Sequence, residues 1–519
     1  MYPETLLQTL CQKLKKNWIF AFLSAFGTGL IIHLYRLTNH LLTWDSVYNF
    51  YDSQNKTALG RPFLTFTCGI GSYYDLQWVN GILSLLYLSL TCVCLVELFS
   101  LNRRTCIFFL CGLTVSFPTV AGTFSYMYTA DGYFLAQLCA AMAVLLTVTY
   151  KKGFLPGLVL LALSYGSYQA YVSYAIMLIL TWSILQLTRE SLRLQELCRQ
   201  WLRFLLMGGL GTALYFICNR LLADIQQITA SDYNGISALA LPDGADFILA
   251  VKNCLIDFAY FFFGPLDKIN LFKLLNAGLF VLLALLFLWI LYQQKLYRKP
   301  ARLCLILLCL AAMPFVCSMI YFLSPQVRYY MLMYGGFCLI YMLPVLLCEN
   351  LTYASERKNP ESTATQAPPP LFLSWSSFLL TALTIFNFAL IANISYLYLT
   401  TANAKTFALV SRMTDRIEQM DHREGLKKLC IIGHFDDFDT ISLNLPPALA
   451  GVRDSYIISE QAHFCAMIDT YYGISLEPCT DAEKEAIHAS ERFRSMDCWP
   501  AASSMSLYDD IIVIKIAEN

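Results

Sequence analysis

Charge is what this chain has least of. Asp, Glu, Lys and Arg make up only 14% of its 519 residues, against roughly 25% in an ordinary soluble domain. A solvated globular surface is therefore excluded over most of the length. The few charges also cancel, 36 basic against 36 acidic, and a nucleic-acid partner, which needs a basic field, is excluded too. There is no glycine-rich phosphate cradle and no nucleotide-binding fingerprint, which disfavours a soluble nucleotide-sugar as substrate. Proline and glycine, at 18 and 25 residues, are near average usage, and no internal repeat is visible. Neither disorder nor a solenoid explains the composition.

What is present is apolar: 57% hydrophobic residues and a mean hydropathy of +0.53, the profile of an integral membrane protein. A helix needs about 20 apolar residues to cross the hydrocarbon. Such runs lie near 17–37, 78–99, 104–121, 129–150, 204–222, 271–293, 302–323, 329–348 and 371–398. The stretch from Phe154 to Leu187 is too long for one crossing and tight for two. Lys and Arg collect on the cytoplasmic side, and six basic clusters mark it: Lys13/Lys15/Lys16, Arg103/Arg104, Lys151/Lys152, Arg189 to Arg203, Lys295 to Arg302, and Arg357/Lys358. If all are inside, each interval crosses an even number of times, and Phe154–Leu187 must turn near Tyr165–Gln169. The expectation is a polytopic α-helical protein of about eleven spans in the cytoplasmic membrane, N-terminus inside and C-terminus outside. The first span is read as a retained anchor, since no small-residue cleavage site follows it.

By this parity the outer face owns the loop 38–77, the turn 122–128, the turn at Gln169, the segment 223–270, the turn Ser324–Arg328 and everything after about 399. Asp246, Lys252, Asn253 and Asp257 interrupt one apolar run, as suits a helix lying at the interface. The inner loop 349–370 ends in consecutive prolines and reads as a linker. Residues 1–398 form the predicted transmembrane domain, with outer loops 38–77 and 223–270. Residues 399–519 form a small extracytoplasmic α/β domain. In it the pattern predicts a helix over 407–420, a strand at 428–432, amphipathic helices at 459–472 and 481–495, and a final strand at 510–516. Of 19 cysteines, most fall in spans. Cys430, Cys465, Cys479 and Cys498 lie in the outer domain, their spacing fits no zinc pattern, and disulfides and free thiols both stay open.

The chemistry starts in the first outer loop, from Trp44 and Asp45 through Asp52 to Gly60-Arg61-Pro62-Phe63. Ionisable groups at a membrane edge are costly and imply function. A carboxylate there can take a proton from an attacking hydroxyl, an arginine fork can bind phosphate, and aromatic rings stack on sugars. Together these are the parts for glycosyl transfer from a lipid-phosphate-sugar. Arg61 and Arg328 are the phosphate candidates, Arg328 being flanked by Tyr329 and Tyr330 in a short turn. A salt bridge from Arg61 to Asp45 or Asp52 is the structural alternative. Gln169, between Tyr168 and Tyr171, has the hydrogen-bonding groups for a sugar, or for a tight helical turn. Asp131 is either a helix-terminal charge or a second active-site acid. His33 reads as a packing histidine. The acids of Gly433–Asp439 read as a solvated loop, with a divalent cation left open; no cofactor is called for.

These residues also carry a resemblance. Asp45, Gly60-Arg61-Pro62-Phe63, Leu76-Gln77-Trp78-Val79-Asn80-Gly81, Phe124 to Tyr128 followed by Asp131, Tyr168-Gln169-Ala170-Tyr171 and the tail Asp509 to Lys515 resemble, in order and spacing, the O-antigen glucosyltransferases of the Gtr type II family. The resemblance implies a membrane-embedded GT-C glycosyltransferase. Such an enzyme moves a sugar, typically glucose, from a polyprenyl-phosphate donor to a surface glycan acceptor, with membrane lipid around it. The family often carries adjacent acids in the first outer loop; here Ser46 follows Asp45, so Asp45 is the expected general base. Asp52, seven residues on, shares a face with it if the loop is helical and is then a second catalytic candidate, for acceptor or metal contact; the alternative is a solvated loop residue. Trp44, Arg61, Tyr168, Gln169 and Arg328 are the expected substrate contacts. Two rivals remain: a flippase or exporter of lipid-linked sugars, which needs mid-span charges and paired broken helices, and a surface-polysaccharide polymerase or ligase.

Overall fold

The computed structural model describes residues 2–5, 12–49, 52–189, 192–229, 244–264, 270–356, 370–420, 427–433, 456–458 and 460–517. The chain divides into two compact units, one built mainly from Met1–Thr38 and Ser53–Asn393, the other from Asn39–Asp52, Ile394–Leu443 and Ala450–Asn519.

The first unit is helical. Its long apolar helices include α1 (Lys16–Thr38), and ten helices among the described residues are long and apolar enough to cross a membrane. Between Lys152 and Arg189, where two crossings were expected, the chain forms Phe154–Ser167 and Tyr171–Arg189. The turn falls at Tyr168–Ala170, overlapping the last two residues of the expected Tyr165–Gln169, and the 14 residues of the first helix are short for a span. Pro118 interrupts one of the ten, Arg104–Phe124, which is counted as one span but runs as Arg104–Ser116 followed by Pro118–Phe124, with the proline at the first position of the second piece. The run expected at the interface is a helix, Gly244–Phe263.

Polar ties gather one end of this unit. Lys15 pairs with Glu97 at 2.6 Å, and the Trp18 ring N–H donates to the same carboxylate. Buried Glu349 accepts from the backbone N–H groups of Asn102 and Arg103. Arg189 donates to the carbonyl of Phe99, and Arg302 to those of Leu187 and Leu192. Four of the basic clusters thus meet through carboxylates and helix-end carbonyls, groups that a cation satisfies well.

The second unit centres on a four-stranded sheet of order β2-β1-β4-β3, with β1 Lys428–Ile432, β2 Glu477–Pro478, β3 Met505–Tyr508 and β4 Ile511–Lys515. β1 is parallel to both β2 and β4, and β3 closes the other edge antiparallel. Buried Leu429, Ile431, Ile512 and Ile514 face helix Gln461–Tyr472 through Phe464, Met467 and Ile468. The expected helix 481–495 is two pieces, Asp481–Ala489 and Glu491–Arg494, because Ser490 caps the second by accepting the N–H of Phe493. The four cysteines of this unit are free thiols; Cys430 is on β1 and Cys479 directly follows its parallel neighbour β2.

Two differences from the sequence expectation have clear causes. The span 371–398 and the helix 407–420 are one helix, Leu371–Glu418, whose 48 residues contain neither glycine nor proline to stop it. In the loop after α1, the described residues ahead of Asp52 form a helix over Trp44–Asn49. Asp45 is inside that helix and Asp52 is not helical, which does not give the two the shared face of one continuous helix.

Candidate functional site

The stretch Thr57–Asp75 is fastened onto the first unit by its backbone. A 3₁₀ turn, Thr57–Leu59, ends at Gly60 in the left-handed region, φ +66°, a conformation glycine adopts without steric cost. The side-chain amide of Gln169 donates to the carbonyls of Leu59 (3.1 Å) and Gly60 (2.7 Å), and the Tyr215 hydroxyl donates to Gly60 as well, at 2.9 Å. The Phe63 N–H donates to the carbonyl of Gly166 at 2.9 Å. Gln169, expected as a sugar ligand or a helix tie, directs its amide nitrogen to this turn.

The turn delivers Arg61. Its guanidinium donates to the Tyr133 hydroxyl at 2.8 Å and lies 5.0 Å from the centre of the Tyr168 ring. Tyr133 and Tyr168 stack on each other, centroids 4.2 Å apart and 19° from parallel. The edge of Tyr171 meets Tyr168 at 5.8 Å, and the buried Tyr171 hydroxyl has no hydrogen-bond partner among the described residues. A guanidinium fixed between a phenol and an aromatic face is oriented for a planar or tetrahedral anion and has little rotamer freedom left to lose.

Two residues before Tyr133 on the same helix, Met127–Thr149, is Asp131. It is fully buried, and neither carboxylate oxygen has a hydrogen-bond partner among the described residues. The chain above it approaches closely because of two glycines. A Cβ at Gly71 would lie 2.2 Å from Asp131 Oδ2, and one at Gly132 would lie 2.8 Å from the sulfur of Cys68, on the short helix Leu64–Gly69. Asn80 pins this cover, its amide nitrogen donating to the carbonyls of Tyr74 and Met127, both at 3.1 Å. Its amide oxygen is buried without a partner and lies 3.6 Å from the same Cβ position at Gly71. Three acceptor oxygens thus converge with no side-chain donor among the described residues. Above them Ser72 and Tyr73 both have positive φ, +79° and +74°, a strain of about 1–3 kcal/mol each.

Arg328 lies on an exposed turn of this unit, its guanidinium 5.3 Å from the centre of the Tyr330 ring. A further acid, Asp257, accepts from the hydroxyls of Ser318 (2.8 Å) and Tyr334. His33 is buried, bonded at 2.8 Å to the carbonyl of Val115 and edge-on to Phe124, a packing role.

Trp44, Asp45 and Asp52 belong to the second unit. Leu41, Leu42 and Val47 are buried in that unit's core. The Asn403 side chain brackets Leu42, accepting its N–H and donating to its carbonyl, both at 2.9 Å. One turn on from Asp45, Tyr48 meets the His463 ring at 4.9 Å. Burial and the nearby Glu460 carboxylate push the Tyr48 phenol up to about 12. Asp45 is therefore a half-buried residue on a helix that the second unit anchors.

The structure brings Arg61, Tyr168 and Gln169 together, and sets Asp131 on the helix that supplies Tyr133. Sequence reasoning missed Tyr133, Asn80 and Gly71 as site residues. Tyr133 and Asn80 stood beside expected residues, but their roles come from contacts far apart in the chain. Among the described residues, no three His, Cys, Asp or Glu side chains are grouped to hold a metal ion. The acidic stretch 434–439 lies outside the described residues.

A family model described as Glucosyl transferase GtrII matches residues 34–340. That span runs from the end of α1 past Arg328. No curated protein and no solved structure matches the chain.

Proposed function

The chain belongs to the glucosyl transferase GtrII family, whose model covers more than half of it, and we propose from this that it transfers glucose from a polyprenyl-phosphate carrier to a cell-surface glycan, in the manner of O-antigen modification. As a multi-pass membrane glycosyltransferase it carries out the reaction at the outer face of the cytoplasmic membrane, with the second unit on that side. The basic clusters tied together at one end of the first unit support this orientation, that end being the cytoplasmic one.

The chemistry balances with the residues at hand. A carboxylate takes the proton from the attacking acceptor hydroxyl as that oxygen bonds to the anomeric carbon, and we assign Asp45 to this step from its place in the first outer loop. The bond from the anomeric carbon to the phosphate oxygen breaks, and polyprenyl phosphate leaves with the electron pair. Arg61 neutralises the departing phosphate, and Asp131 acts on the sugar. Arg328, exposed among tyrosines, meets the carrier at headgroup depth. The observation that carries the donor assignment is the Arg61 clamp: a guanidinium oriented by stacked Tyr133 and Tyr168 suits a lipid phosphate, whereas soluble nucleotide donors need a cradle this chain lacks.

The test is direct. Purified protein given polyprenyl-phosphate-glucose and acceptor glycan releases polyprenyl phosphate. Asp45→Asn lowers that release by about 10²-fold or more, the contribution of a general base, with the thermal unfolding transition unchanged. Turnover retained in the variant removes Asp45 from the role.

A further inference from the structure

Buried oxygens without donors are rare in a finished interior, because each forfeits the hydrogen bonds it had in water. Around Gly71 there are three: both carboxylate oxygens of Asp131 and the amide oxygen of Asn80. The cover over them is the Ile70–Asp75 loop, with two consecutive non-glycine residues at positive φ. A set of acceptor oxygens repels phosphate, and with one ionisable group among the described residues it is too poor in ligands to favour a cation. It is complementary to a group that brings several O–H donors at once, and a hexose ring does so.

We propose that Asp131 and Asn80 form a subsite for the hydroxyl groups of the donor's sugar, and that the Ile70–Asp75 loop is its lid. This rests on the glycosyl-transfer reading and adds to it the residues that select the sugar. With the lid down and no sugar, Asp131 is covered by the Gly71 backbone; opening the loop lets Ser72 and Tyr73 leave their left-handed conformations and admits the ring. Asn80 couples the two, its amide nitrogen holding the loop at Tyr74 while its oxygen faces the subsite.

The experiment compares full-length enzyme and Asp131→Asn on polyprenyl-phosphate-glucose and its four monodeoxy analogues. One deoxy donor is expected to cost the wild type about 10²-fold or more in kcat/KM, as for a site built to hydrogen-bond a hydroxyl. Asp131→Asn is expected to lose a similar factor on glucose and nothing further on that analogue. Gly71→Ala, whose Cβ would lie 2.2 Å from Asp131 Oδ2, displaces the lid and gives the same blunted discrimination. Ligand-induced thermal stabilisation with the same five lipids provides a reading independent of turnover. An equal loss on every donor in Asp131→Asn, or a wild type indifferent to every deoxygenation in both measurements, overturns the subsite. Hydroxyl-dependent stabilisation without any polyprenyl phosphate release upholds the subsite and overturns the transfer reading instead.

Discussion

Two acids on helices of the first unit, Asp131 and Asp257, are treated in opposite ways. Asp257 accepts hydroxyl hydrogens from Ser318 and Tyr334, and the rings of Tyr321, Tyr329 and Phe261 pack around that tyrosine in a chain of contacts. Asp131 is more deeply buried and has no partner at either oxygen among the described residues. A partnered acid contributes to the fold, and removing it strands its donors. An unpartnered one costs the fold energy, so its presence points to a ligand that supplies the missing donors. Within one helical scaffold, hydrogen-bond bookkeeping separates a structural acid from a functional one.

Stability measurements are the strongest way to break that distinction. Asp257→Ala leaves the Tyr334 and Ser318 hydroxyls without their acceptor and is expected to destabilise the protein by about 1–3 kcal/mol, lowering its thermal midpoint. Asp131→Asn replaces a buried carboxyl whose oxygens have no hydrogen-bond partner among the described residues, and its midpoint is expected to stay level or rise. If Asp131→Asn unfolds earlier than Asp257→Ala, the assignment of roles is reversed.

Gln169 sharpens the comparison at smaller amplitude. Its amide fastens the Leu59–Gly60 turn that delivers Arg61, so it acts through the position of that guanidinium. Gln169→Leu is expected to lower kcat/KM by about tenfold, the equivalent of one neutral hydrogen bond, by the same factor on glucose and on each deoxy donor. A penalty confined to one deoxy analogue would instead make Gln169 a sugar ligand.

How much of this was legible beforehand follows from the range of the interactions. The strands 428–432 and 511–515 stood out as short apolar runs, whereas Glu477–Pro478 and Met505–Tyr508 are edge strands with too little pattern to register. Arg61 and Tyr168 stood out because charge and aromatics are conspicuous beside apolar spans. Tyr133 did not, since its role is created by Arg61, 72 positions away. Asp45 was visible as an acid in a polar loop, but its attachment to the second unit depends on Asn403, 361 residues from Leu42. Local pattern gives elements and suspects; partnership is a property of the folded chain.

The same accounting extends to the second unit, where His463 sits against Tyr48 on the helix that bears Asp45. Burial holds the His463 imidazole below its usual pKa, with the Glu460 carboxylate opposing. The folded state therefore resists a proton that the unfolded chain accepts, and the sign follows: stability is full above about pH 6.5 and declines as pH falls from there toward the lower folded value. Unfolding of the full-length protein, followed between about pH 7 and about pH 5, should show this decline, and His463→Gln, which cannot titrate, should flatten it. Glu483, held down to about 2 by Lys428 and Thr480, stays ionised in the fold across that window, and its own contribution begins only at the acid end, where the unfolded carboxyl starts to take up a proton. If His463→Gln leaves the slope unchanged, the acid sensitivity lies elsewhere, and the partner of Tyr48 is a packing residue with no protonic part.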